Sequence, residues 1–279
     1  MSAAKPTGPV ALGLALAATL TPNAATAKPT DDVRRIQRAI DEAEPGALLR
    51  LPAGRVRGQL RITKPLTVRG AGSGRTVFAS PGPRASLMVE AKDGVVIVEG
   101  VGFTTTPDAE PTRGAAVMIA GPGMVVLRDV KLERAIAGRC ITSAIALERG
   151  PSVRMERVTV SGHHCYLAGA MVVPRGAKVT LSDSVIRDNR GELAGAILVM
   201  GGELRVENTT FEGNRFTRGE DGHHITFGPG RSTLDLVASR MATDASTSLS
   251  FEKGSDPRIH VSRMRWPEPR TPDFVRGAR

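Results

Sequence analysis

Aromatic side chains are nearly absent from this chain. Only 3% of its 279 residues are Phe, Trp or Tyr, with a single Trp and a single Tyr, so branched aliphatics and alanine must fill the core. A cleft that grips successive sugar rings recruits exposed aromatics, and here Tyr166 and Trp266 are the only non-Phe candidates. That scarcity argues against a processive glycan enzyme. Cysteine is equally sparse, with Cys140 and Cys165 alone. No dense Lys/Arg run marks a nucleic-acid arm, so no specific nucleic-acid recognition is expected. Beyond the N-terminus no stretch approaches a membrane span.

The first 27 residues carry Lys5, an apolar run from Val10 to Leu20, and Ala25-Thr26-Ala27. Charge, apolar core and small-x-small is the order of a secretory signal peptide, and the run is too short to span a bilayer. The expected protein is therefore secreted or periplasmic. The formal net charge is +10, and removing the leader takes away only Lys5, leaving +9. A basic exported protein favours anionic partners such as acidic polysaccharide or another envelope polyanion; the alternative is a solvated, arginine-rich surface.

Thirty-one glycines and 19 prolines point to many turns rather than long helices. One helix is expected over 30–46, with Val33, Ile36, Ile40 and Ala43 on one face and Pro45-Gly46 as its stop. Placed ahead of a strand repeat, it is expected to cover the open end of the stack.

The repeat is plainest from Gly169 to Asn214, where GAMVVPRGAKVTLSDSVIRDN is followed almost at once by GELAGAILVMGGELRVENTTFEGN. The frame extends along the chain. One strand contributes the pairs Val117/Ile119, Ile145/Leu147, Met171/Val173, Ile197/Val199, Ile225/Phe227 and Leu249/Phe251. The next contributes Val125/Leu127, Val153/Met155, Val179/Leu181, Leu204/Val206, Leu234/Leu236 and Ile259/Val261. Five residues on come Leu132, Val160, Ile186, Phe211, Met241 and Trp266. A period of roughly 24 to 30 residues over about seven to eight coils is a solenoid spacing. Each strand then pairs in parallel with its equivalent one coil away, with right-handed crossovers. A sandwich or propeller of hairpins lacks its turn dipeptides at regular positions.

IQRAIDEA followed by LLRLPAGRVRGQLRITKPLTVRGAG resembles the entry of right-handed parallel β-helix proteins of the pectin-lyase-like superfamily, and the resemblance covers nearly all of the chain after the leader. It implies an all-β, single-stranded right-handed parallel β-helix with an N-terminal capping α-helix. The expected organisation is a leader over 1–27, the helix over 28–46, the β-helix over 47–267 and a tail over 268–279. Polygalacturonase-like members carry Asn-Thr-Asp, paired Asp, Gly-His-Gly and Arg-Ile-Lys motifs. Gly162-His163-His164 only partly echoes the third, and no calcium-binding Asp cluster of the pectate-lyase kind is evident. GGELRVENTTFEGNR is closer to the repeats of bacterial surface and adhesin-like β-helices, where Asn and Gly serve the stack itself.

Chemistry is therefore sought beside the repeat, where outward side chains of successive coils line up. The alignment puts His163, Asn189 and Asn214 in one column and His164, Arg190 and Arg215 in the next, with Asp188, Tyr166 and Glu192 nearby. Asn suits tight turns and hydrogen-bonds along a stack, which makes the first column structural, with His163 in an Asn slot. The second column suits a polyanion. The leading expectation is a non-catalytic scaffold binding anionic polymers, with His163, Arg215, Glu192 and Tyr166 as ligand contacts. The rival is a lyase, epimerase or hydrolase with His164 and Arg190 as base candidates and Asp188 as acid or cation ligand. His223-His224, with Glu220 and Asp221, lack a third ligand at a known spacing, so no metal and no cofactor are assigned. Cys140 and Cys165 lie about one repeat apart and are expected to form a disulfide between adjacent coils.

Overall fold

Alternating apolar residues give each short strand one face that must be buried, and a strand too short to bury it alone stacks on its equivalent one coil away. The computed structural model describes residues 17–19, 29–80, 85–105, 115–134, 142–217, 224–242 and 248–265. They form a parallel β-solenoid of about seven turns with one ten-stranded sheet, two eight-stranded sheets and a short three-stranded sheet. Seven successive coils run from the first eight-stranded sheet, through the ten-stranded sheet, to the second eight-stranded sheet.

The three repeat columns are strand partners residue for residue. Val117, Ile145, Met171, Ile197, Ile225 and Leu249 follow one another across one sheet. Val125, Val153, Val179, Leu204, Leu234 and Ile259 do so across the ten-stranded sheet, and Leu132, Val160, Ile186, Phe211 and Met241 across the third. Trp266, the expected last member, lies outside the described residues. These columns make one continuous core, and burying each such side chain contributes roughly 1.5–3 kcal/mol. Two aromatic stacks lie along it. Phe78 lies over Phe103 at 5.7 Å and Phe227 over Phe251 at 5.4 Å.

The helix runs Pro29–Glu42, ending four residues before Gly46, where the chain turns. Ile36 and Ile40 are buried, with Val33 and Ala43 packed against the core. Gly58 permits this approach, because a Cβ there would fall 2.9 Å from Val33 Cγ1. Gln37 clasps the backbone of the strand Leu60–Ile62: its Nε2 donates to the Arg61 carbonyl at 2.9 Å and its Oε1 accepts the Arg61 N–H at 2.8 Å. Of the stretch read as a leader, only Ala17–Thr19 is described. It pairs in parallel with Leu48–Arg50 at the edge of the ten-stranded sheet, a strand that cleavage after Ala27 would remove.

Candidate functional site

Three successive turns out of the second eight-stranded sheet end on a polar residue that points inward. His163 is 1% exposed, Asn189 0% and Asn214 2%, and hydrogen bonds tie the three into a spine. The His163 N–H donates to Asn189 Oδ1 and the Asn189 N–H to Asn214 Oδ1, both at 3.1 Å. Each side chain also reaches a carbonyl of the aliphatic column one coil earlier. Asn189 Nδ2 donates to Val160 O at 3.0 Å, Asn214 Nδ2 to Ile186 O at 2.8 Å, and His163 Nε2 to Leu132 O at 3.0 Å. Asn189 Nδ2 also donates to Asn214 Oδ1 at 2.9 Å, and Asn214 Nδ2 approaches His224 Nδ1 at 3.3 Å.

His163 is thus a rung of the spine in an Asn slot, and the expectation that it contacts ligand is corrected. Side chains of adjacent strand residues point to opposite faces, so a chain that presents His164 outward must send His163 in. Because Nε2 donates to a carbonyl, Nδ1 is the unprotonated nitrogen, and it is buried without a hydrogen-bond partner. Burial pushes the ring's pKa down to about 4, against the opposing pull of the Leu132 carbonyl, so the imidazole is neutral at pH 7. His224 is buried at the other end, tilted over Phe211 at 6.0 Å. It occupies the slot held by Ala170 and Ala196 in earlier coils.

One residue beyond the spine the chain turns its side chains out. His164, Arg190 and Arg215 are direct strand partners in the three-stranded sheet, about 4.8 Å apart by strand spacing. Arg190 and Arg215 are exposed and His164 is half-buried. The inward residues of these strands are Cys165, Gly191 and Phe216, and Gly191 is forced by contact: a Cβ there would fall 2.0 Å from the Ala194 carbonyl oxygen. Just beyond the strands come Tyr166, 44% exposed, and Glu192, buried at 8% exposed, joined by the Glu192 N–H donating to Tyr166 O at 2.9 Å. Asp188 sits in the preceding turn with left-handed backbone, φ 53°, its carboxylate lying over Gly213, where a Cβ would fall 2.5 Å from Oδ1.

The repeat spacing therefore brings His164, Arg190 and Arg215 to one short sheet, with Tyr166 and Glu192 just after its strands and Asp188 in the turn before. It gives no sign of how differently charge is handled elsewhere. On the ten-stranded sheet several outward cations are matched by carboxylates one coil away. Arg69 pairs with Glu99, Arg128 with Glu99 at 3.4 Å and Glu156 at 2.7 Å, Lys178 with Glu203 at 3.2 Å, and Arg205 with Asp235 at 3.1 Å. The Arg128 guanidinium, hydrogen-bonded to Glu156, holds that carboxyl below its usual range despite burial. Arg190 and Arg215 make no ion pair with any described residue. Period-two alternation predicts which residues face out, but not which outward charges find partners.

Cys165 is fully buried on this sheet. Cys140, its expected partner, lies outside the described residues, as do Glu220, Asp221 and His223. Among the described residues no group of three His, Cys, Asp or Glu side chains is placed to hold a metal ion, and no helix is long and apolar enough to cross a membrane.

An alginate lyase of the PL6 family, AlyGC, superimposes with a TM-score of 0.52 over 82% of this chain, at 14% identity. The fold shared with that lyase is the parallel β-helix. This chain covers 38% of the length of that lyase. Further structural neighbours are the pectin methylesterase PemA from Erwinia chrysanthemi, at 12% identity, 76% and 80% coverage and TM-score 0.41, and the A-module of the Azotobacter vinelandii mannuronan C-5 epimerase AlgE4, at 14% identity, 85% and 94% coverage and TM-score 0.33. No protein-family model and no curated protein matches the sequence. At these identities the likeness is one of fold, which does not by itself carry function.

Proposed function

We propose that this chain is an exported β-helix protein that binds an acidic polysaccharide along the outer His164–Arg190–Arg215 ladder. The observation that carries the reading is the pair of exposed arginines, in register on adjacent coils beside His164 and without carboxylate partners among the described residues. A linear polyanion laid across the three strands meets one basic or titratable side chain per coil. Tyr166 and the carboxylates of Glu192 and Asp188 bound this row and restrict how a sugar ring sits. The likeness in fold to an alginate lyase supports a polymer of this class. A disulfide between Cys140 and Cys165 belongs to the same reading, since an exported chain meets an oxidising compartment.

The test is affinity for alginate and for polygalacturonate, measured by calorimetry over a range of salt. Binding weakens as salt rises, and Arg190→Ala and Arg215→Ala each lower affinity by roughly two- to five-fold, the size of an exposed ionic contact. Salt-insensitive binding, or a double variant that binds as well as the parent, refutes the assignment.

A second reading, that the bound polymer is also processed, is favoured by one feature. Tyr166, exposed, stands two residues after His164, which is the strand partner of Arg190. A proton acceptor beside a cation that neutralises a uronate carboxylate is suited to abstracting the proton alpha to that carboxyl. Unsaturated or reducing ends that appear with the parent and vanish with His164→Ala establish it. Binding without turnover leaves the scaffold reading.

A further inference from the structure

The spine and the outer ladder are built from neighbouring residues: His163 precedes His164, Asn189 precedes Arg190, and Asn214 precedes Arg215. Their backbones are also joined, since the Arg190 N–H donates to His163 O at 2.7 Å and the Arg215 N–H to Asn189 O at 2.8 Å. The ladder is thus held in place from behind. The His163 rung differs from the asparagine rungs in one respect. The Oδ1 atoms of Asn189 and Asn214 each accept a backbone N–H, whereas His163 Nδ1, the equivalent acceptor, is buried with no partner.

We infer that His163 is a positioning residue that makes the outer ladder acid-labile: protonating its buried Nδ1 breaks the rung and frees the backbone that carries His164 and Arg190. Protonation turns an unpaired acceptor into an unpaired donor and puts a full charge into a dry slot, the most costly kind of buried group. Among the described residues, burial and the Leu132 carbonyl are the influences on the ring's titration. No charged side chain among the described residues acts on it, Asn189 offers a neutral amide, and His164 points to the opposite face. The folded ring takes up its proton near pH 4 and an unfolded one near 6.5. The protection given by the rung is therefore complete above about pH 6.5 and is lost as pH falls toward 4. Asn at this position restores the motif of the next two coils, with Nδ2 directed to Leu132 O and no group that titrates.

The inference rests on the proposed binding face only for its consequence, and the decisive readout needs no ligand. Hydrogen exchange of the Arg190 and Arg215 amides is followed in the full chain from pH 7 to pH 4 and corrected for intrinsic rates. In the parent, protection at Arg190 falls by more than ten-fold across this range, while the Lys131 amide, bonded to Val101 O in an earlier coil, holds. In His163→Asn, Arg190 keeps its protection. Equal losses in parent and variant, or an unchanged parent at pH 4, overturn the inference. Should the variant not fold, the parent's His163 ring is titrated by NMR: a ring that gains its proton without any change at the Arg190 amide also overturns it. In a second arm, binding of dextran sulfate, whose charge does not titrate here, weakens with acid in the parent and not in His163→Asn. Failure of dextran sulfate to bind at pH 7 counts against the proposed function and leaves the exchange result to decide the role of His163.

Discussion

Removing the middle rung of the buried spine is expected to destabilise the protein more than any single exposed ion pair does. Asn189→Ala deletes three side-chain hydrogen bonds, to His163 N, Val160 O and Asn214 Oδ1. Asn214 Oδ1 keeps the Asn189 N–H and the Val160 carbonyl keeps its place in the strand ladder beside Ile186, so the group left orphaned is the His163 N–H. A buried group left unsatisfied costs about 1–3 kcal/mol, against a typical total of about 5–15 kcal/mol. The comparison is Lys178→Ala, which removes a surface pair with Glu203 whose partners are 64% and 57% exposed and is worth at most about 1 kcal/mol. Urea unfolding followed by circular dichroism, with midpoints compared at equal slope, measures both. Asn189→Asp sharpens the test. It keeps the acceptor, loses the donor to Val160 and buries a charge at neutral pH, so part of its loss is recovered in mild acid when the carboxyl regains a proton to donate. An Asn189→Ala loss below about 1 kcal/mol, or one no larger than that of Lys178→Ala, refutes the claim that the spine's hydrogen bonds hold the ladder.

Gly191→Ala sets a methyl 2.0 Å from the Ala194 carbonyl oxygen, which only a backbone shift can relieve. A loss of more than about 2 kcal/mol is expected, with weakened polyanion binding, by thermal unfolding and calorimetry. Asp129 and Glu156 have carboxyls held below their usual range by hydrogen bonds from Arg157 and Arg128. Their contribution is present above the ordinary carboxylate pKa and is lost as pH falls through the lowered folded values. His163 acts in the same direction at higher pH, contributing about 3 kcal/mol that disappears between about pH 6.5 and 4. Unfolding midpoints against pH should therefore show two falling steps in the parent and only the lower one in His163→Asn.

The fold is legible in the sequence because a solenoid writes its tertiary contacts into a sequence period. Val125, Val153 and Val179 stand at the same place in successive repeats because they stack, so aligning repeats amounts to reading strand register. The outer columns are legible for the same reason: spacing alone puts His164, Arg190 and Arg215 in one column, and they are strand partners. The in–out assignment at His163 is harder to read. A histidine at a turn looks the same in sequence whether it faces solvent or a carbonyl of the previous coil.

The sequence by itself determined the period, the parallel register and which residues share a column, because each depends only on spacing and apolar identity along the chain. The tertiary structure alone decided where charge is left over. Arg128 and Arg190 are both outward arginines, yet Arg128 lies beside Glu99 and Glu156 from neighbouring coils, while Arg190 lies between His164 and Arg215. It also decided that His163 meets the Leu132 carbonyl in a dry interior. Electrostatic pairing and desolvation depend on through-space distance between residues about one coil apart, which residue types name but do not supply.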